Sequence, residues 1–202
     1  MLKVYSKIIS TVLHPIFAPL FSLYVLFSLP SYINFKLSSY YKLYIYGIVV
    51  INLVIVPIVF SYYLKQKKQI RSLKMDSVKE RIIPYGLSVL FYILTWVLLQ
   101  KVQFPAFYLA VFQMAGVTVL ILLVFALLKQ KVSAHMAAWG GICGVIATSS
   151  IILEVDNINY LILAVLLSGL VGTARLHLKA HSMEEVLSGF ILGLSLQLFI
   201  LV

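Results

Sequence analysis

Three short stretches hold most of the residues able to do chemistry. The first is KMDSVKERIIPY, residues 74–85. Lys74 and Arg81 lie seven residues apart, which is two helical turns, so a helix there would put both cations on one face. Two cations beside a membrane helix can hold a phosphate, or can anchor the chain to anionic lipid. The second is KVSAHMAAWGG, residues 131–141. Ser133 and His135 stand where an apolar helix begins, and a helix N-terminus offers free N–H groups and a favourable dipole to an anion. Ser133 also reads as a helix N-cap. The third is ARLHLKAHSMEEVLSGF, residues 174–190. Arg175 has the planar donor fork that matches phosphate oxygens. His181 and Glu185 are four residues apart, and a carboxylate beside an imidazole sets its tautomer and raises its basicity. Ser182 and Glu185 equally fit the S-x-x-E capping box of a helix starting near Ser182. His177 and Lys179 read as solvated loop residues.

These stretches interrupt an apolar chain. Of 202 residues, 62% are hydrophobic and 11% charged, with a mean hydropathy of +1.05. A soluble domain is typically about 25% charged, so the composition predicts a single-domain integral membrane protein over residues 1–202. The charge-free runs are Ile8–Phe35, Leu43–Leu64, Ile82–Gln100, Val102–Leu128, Val132–Leu153, Asn157–Ala174 and Val186–Val202. About 20 apolar residues in a helix cross ~30 Å of hydrocarbon. The runs are continuous and do not alternate, which predicts helices over a barrel. The expected fold class is therefore all-α, a polytopic transmembrane bundle of six to seven helices. The first run, with His14 and three prolines, is too long for the apolar core of a signal peptide and reads as one helix. His14 within it reads as a buried or interfacial helix residue. The lone Cys143 provides no disulfide framework and no thiolate metal site. Gly140, Gly141 and Gly144 are expected to let helices approach closely.

Seven crossings put the N-terminus and loops 65–81, 129–131 and 175–185 on one side. That side holds 13 of the 16 Lys and Arg residues, and the other holds Lys36, Lys42 and Lys101. The positive-inside rule places the crowded side in the cytoplasm. The same side collects Asp76, Glu80, Glu184, Glu185, His135, His177 and His181. Ionisable groups near membrane depth are expensive and usually functional. Their convergence from three loops predicts one polar site at the mouth of the bundle. The net charge of +10 suits lipid head groups or phosphates rather than nucleic acid.

Taken together, Lys74-x6-Arg81, Ser133-x-His135 and Arg175-x5-His181-x3-Glu185 resemble the signature of the type 2 phosphatidic acid phosphatase superfamily. That signature reads K-x6-R-P, then P-S-G-H, then S-R-x5-H-x3-D. Order and internal spacings agree across Lys74–Glu185. The resemblance implies that His181 is a nucleophile forming a phosphohistidine, that Glu185 orients it, and that His135 is the general acid. It assigns Lys74, Arg81, Ser133 and Arg175 to phosphate binding, and implies neither cofactor nor metal. Four departures stand out: Ile82 follows Arg81 in place of Pro, Ala134 replaces the Gly of P-S-G-H, Ala174 replaces the Ser before Arg175, and Glu185 replaces Asp.

The expected function is that of a lipid-phosphate phosphatase in the cell (inner) membrane, with the bilayer and a lipid phosphate as partners. A non-catalytic head-group-binding relative is the alternative. A transporter ranks lower, since intramembrane polar residues are sparse and no pair of broken helices is evident. The choice of lipid and the oligomeric state stay open. So does the side of the site, because membrane members of the family usually face the exterior while the charge bias points to the cytoplasm.

Overall fold

The computed structural model describes residues 2–73, 75 and 77–202. These residues form ten α-helices: α1 Leu2–Val12, α2 Ala18–Ser28, α3 Tyr32–Lys36, α4 Ser39–Val50, α5 Val56–Gln66, α6 Ile82–Lys101, α7 Ala106–Leu127, α8 Ala134–Ile152, α9 Ile158–His177 and α10 Met183–Leu198. Among the described residues there is no strand. The helices group into seven segments long and apolar enough to cross a membrane: Leu2–Ser28, Ser39–Gln66, Lys79–Lys101, Ala106–Leu127, Ala134–Ile152, Ile158–His177 and Met183–Leu201. The chain is thus a multi-pass, all-helical membrane protein.

The first segment departs from the single helix expected of it. α1 stops at Val12, a 3₁₀ turn covers Pro15–Phe17, and α2 begins at Ala18. Pro15 lacks the N–H that would continue the helical ladder and disfavours helical geometry in the residue before it. His14 accordingly has extended backbone angles (φ −70°, ψ 140°). The second segment carries a π turn over Ile51–Ile55, immediately before Pro57. Proline again accounts for the irregularity, because a wider turn spares the ladder a missing donor. The sequence reading that found no broken helices therefore missed an interruption in the first segment and a distortion in the second.

α8 is the central helix. Two thirds (67%) of its membrane window is buried, against 11–28% in the other six segments. Its small residues explain this position. A Cβ added at Gly140 would collide with the Phe190 carbonyl oxygen of α10, and one at Gly144 would lie 2.6 Å from Gln197 Cβ. From the other side, a Cβ at Gly193 of α10 would collide with the Ala137 carbonyl oxygen of α8, and one at Gly189 would lie 2.6 Å from Ser133 O. Two glycines spaced by four on each helix thus bring the backbones together, as small residues do in membrane interfaces. Gly140 and Gly144 meet the expectation of close packing, whereas Gly141 is looser, 3.9 Å from the nearest atom its Cβ would meet. This crossing sets the N-terminus of α8 beside that of α10. On the outer faces, Leu90, Leu166 and Ile191 stay exposed, as lipid-facing residues would.

Candidate functional site

The site is assembled where α8 and α10 begin and α9 ends. Ser133 caps α8, its hydroxyl accepting the Met136 N–H at 3.5 Å, and Ser182 caps α10 by accepting the Glu185 N–H at 3.3 Å. The Ser133 N–H donates to the Glu185 carbonyl oxygen at 3.1 Å, tying the two helix starts directly. Ser133 is wholly buried, so its hydroxyl acts here as a cap.

His181 lies in the turn between α9 and α10 and is 7% exposed. Its Nδ1–H donates to Glu185 Oε2 at 2.6 Å. A carboxylate can only accept, so the proton resides on Nδ1 and Nε2 keeps a free lone pair. Burial pushes the His181 pKa down to about 4. The hydrogen bond to Glu185 opposes that, while the positive charges of Arg81 and Arg175 push it further down. Near neutral pH His181 is therefore an uncharged imidazole with an available nitrogen. Glu185 is steadied by Lys131, whose Nζ lies 3.9 Å from the same carboxylate oxygen. The serine cap and the carboxylate contact coexist because they use different atoms of Glu185.

Arg81 is 8% exposed. Its Nε donates to the Met75 carbonyl oxygen at 3.0 Å, its Nη1 to the Val132 carbonyl oxygen at 3.5 Å, and it is hydrogen-bonded to the Tyr85 hydroxyl. Lys74 lies outside the described residues, as does Asp76. The expected shared helical face of Lys74 and Arg81 therefore lies outside the described residues. Arg81 itself ends a 3₁₀ turn, Lys79–Arg81, that leads into α6, and residues 69–71, 73, 77 and 78 form turns and bends. Arg175 was expected in a loop, but α9 continues through it to His177. Arg175 stands near enough to His181 for its positive charge to lower that residue's pKa. His177 occupies the last turn of α9, and Lys179 adopts a left-handed conformation (φ 52°) just beyond it.

His135 sits in the first turn of α8, with Nε2 3.1 Å from the Ser10 carbonyl oxygen. That oxygen accepts, so Nε2 carries a proton and Nδ1 keeps its lone pair. The ring packs edge-to-face on His14, with centroids 5.1 Å apart. His14 is thus no ordinary helix residue: it occupies the break between α1 and α2, and its Nδ1 accepts the Ile16 N–H at 3.2 Å. The sequence reading of His14 as a buried or interfacial helix residue is corrected here, and a His-Pro pair inside an apolar run was the signal for the break. Lys131 was missed as well, because its role depends on α8 and α10 meeting.

A cavity of about 220 Å³ opens beside this cluster. His14, Met75, Tyr85 and Ala134 line it at the site, and Ala137, Ala138, Gly141 and Ile142 carry it along α8. At 1.5 Å per residue, Ala134 to Ile142 is about 12 Å of helix. Val111, Phe112 and Gln197 line it from α7 and α10. Its wall is mostly apolar. Among the described residues, no three His, Cys, Asp or Glu side chains gather closely enough to hold a metal ion.

Comparison with known proteins yields no match: no family model, no curated protein and no solved structure matches this chain.

Proposed function

We propose that this protein is a lipid-phosphate phosphatase of the cell membrane, similar in chemistry to the type 2 phosphatidic acid phosphatases, that works through a phosphohistidine on His181. The reading rests above all on one observation: a buried His181 held by Glu185 at 2.6 Å, with Nε2 free, under the charges of Arg81 and Arg175. Phosphoryl transfer depends mainly on positioning and charge stabilisation, and two guanidinium groups beside two helix N-termini supply both.

In the proposed reaction the His181 Nε2 lone pair forms the N–P bond while the bond from phosphorus to the leaving oxygen breaks. The electron pair stays on that oxygen, which takes a proton from Nδ1 of His135, a nitrogen protonated once the bound phosphate's negative charge offsets the guanidinium charges around it. Neutral His135 then draws a proton from water, whose oxygen attacks phosphorus. The N–P bond breaks, and its electrons return to His181. Arg81 and Arg175, together with Lys74, balance the phosphoryl charge. The hydrocarbon part of the substrate lies in the apolar cavity or the adjoining bilayer. Phosphatidate, phosphatidylglycerophosphate, polyprenyl diphosphate and a lipid A phosphate all fit this chemistry.

Phosphate release from these lipids in detergent micelles tests the proposal. Wild type should turn over at least one of them, and His181→Ala should lose about 1,000-fold or more, as removal of a nucleophile does. Equal release by both proteins would end the enzyme reading and leave head-group binding. The irregular first and second segments revive a transport reading in part. Against it, the charged and histidine side chains cluster at the mouth of the bundle, whereas transporter sites lie near the midplane.

A further inference from the structure

We propose that His14, which belongs to none of the three motifs, is a further catalytic residue: its Nε2–H donates a hydrogen bond to the bridging oxygen between phosphorus and the lipid's alkyl group. This rests on the phosphatase reading above.

The argument begins with tautomers. The Ile16 backbone N–H donates to His14 Nδ1 at 3.2 Å. Nδ1 therefore carries no proton, and the neutral ring has its one N–H at Nε2. His135 is arranged in the opposite sense: its Nε2–H is spent on Ser10 O at 3.1 Å and its Nδ1 is left open. The two rings touch edge-to-face at 5.1 Å. One offers a nitrogen that can gain and lose a proton, and the other a donor that stays fixed. Two imidazolium rings at that separation would repel. Protonating His14 at Nδ1 would also turn it against the Ile16 N–H, so His14 is the ring that stays neutral.

Position supports the same role. In a lipid phosphate the bridging oxygen lies between head group and hydrocarbon. Among the described histidines, His14 lines the apolar cavity, and it also touches the polar cluster through His135. It stands at the junction where that oxygen would be. The turn at Pro15–Phe17 holds it there.

The step balances without moving the His14 proton. The P–O bond breaks, its electron pair goes to the alkoxide oxygen, and the proton comes from His135 Nδ1. His14 retains Nε2–H and stabilises the negative charge while it builds. It cannot be the acid, since loss of its only N–H proton would leave an imidazolate.

Two variants separate this role from capping. The Asn amide reaches the position of imidazole Nδ1, and the Gln amide reaches that of Nε2. His14→Asn keeps an acceptor for the Ile16 N–H and loses the donor; His14→Gln keeps the donor and loses the cap. Each is assayed in detergent on a long-chain alkyl phosphate and on p-nitrophenyl phosphate, whose leaving group needs little help. Wild type and His181→Ala run alongside. On the alkyl ester His14→Asn should fall about 100-fold in kcat/KM, the usual loss when one donor to developing oxyanion charge is removed, while His14→Gln stays well above it. On the aryl ester His14→Asn should lose roughly fivefold or less, because acid assistance matters less for a weakly basic leaving group. Asn outperforming Gln, or equal losses on both esters, would show a purely structural His14 and overturn the proposal. If wild type is active and His181→Ala is not, those outcomes sink the His14 role alone. If wild type releases no phosphate from either ester, the phosphatase reading fails and takes the His14 role with it.

Discussion

Glu185 serves the site through three different atoms. Its N–H is capped by Ser182, its carbonyl oxygen accepts from Ser133, and its carboxylate holds His181. Glu185→Gln would keep both backbone contacts and nearly the same shape, but leaves a neutral amide against His181 Nδ1. Phosphate release should fall by about 100-fold or more, with unfolding little changed, because loss of the orienting charge disturbs both tautomer and basicity. A loss of activity only in step with a loss of fold would argue instead for a cap alone. His181 makes a separate prediction about pH. The proposed attack needs neutral His181, and burial together with Arg81 and Arg175 holds its pKa at about 4. Activity that depends on the deprotonated form should survive well below the ordinary imidazole value of 6.5 and decline as pH falls towards about 4. The acid limb of kcat/KM, which reports the free enzyme, is the quantity to follow. Arg175→Gln should shift that limb upward, since one depressing charge is gone. A wild-type limb centred near 6.5 would contradict the proposed environment of His181.

The elements show where helical signals could be read and where they could not. Continuous apolar runs located six of the membrane segments to within a few residues, because burial in lipid demands length and continuity. Helix ends were harder. Five helices stop at left-handed residues that are not glycine: Lys68, Gln103, Lys129, Glu154 and Lys179. Glycine is the usual marker for such a stop, so these ends had no compositional flag. The start of α10 was legible, since Ser182 caps Met183 onward as its spacing suggested. The α8–α10 crossing yields a prediction at this scale. Gly193→Val would drive a side chain into the Ala137 carbonyl. It should destabilise the protein by about 1–3 kcal/mol, as overpacking does. It should also lower activity, because the Ser133–Glu185 link depends on the same approach. Gly86→Ala, with nothing within 4 Å of the new Cβ, is the control and should unfold no earlier. Thermal unfolding in detergent compares the two. Equal behaviour would mean that the close crossing does not support the site.

For the whole molecule, the open question is which face carries the site. Thirteen Lys and Arg residues lie on its side and three on the other. Setting aside Lys74, Arg81 and Arg175 as ligands for phosphate still leaves a ten-to-three bias, so the positive-inside rule predicts a cytoplasmic mouth. A single cysteine at Lys67 should then react with an impermeant maleimide only after the membrane is opened, and one at Lys101 should react from outside. Cys143 is buried and should stay silent. The opposite labelling pattern would place the site at the exterior. Composition and unbroken apolar runs by themselves determined a multi-pass helical protein, since lipid permits few other ways to satisfy a backbone. The motif spacings pointed to His135, Arg175, His181 and Glu185, and of these only the His181–Glu185 contact spans a single helical turn and so is encoded locally. Only the tertiary structure decided the rest: that Glu185 turns its carboxylate to His181, that Lys131 supports it, and that His14 and Ser10 meet His135, the latter across 125 positions of chain. Those contacts depend on how closely α8 meets α10 and on where Pro15 breaks the first segment, and no local pattern records the meeting of distant helices.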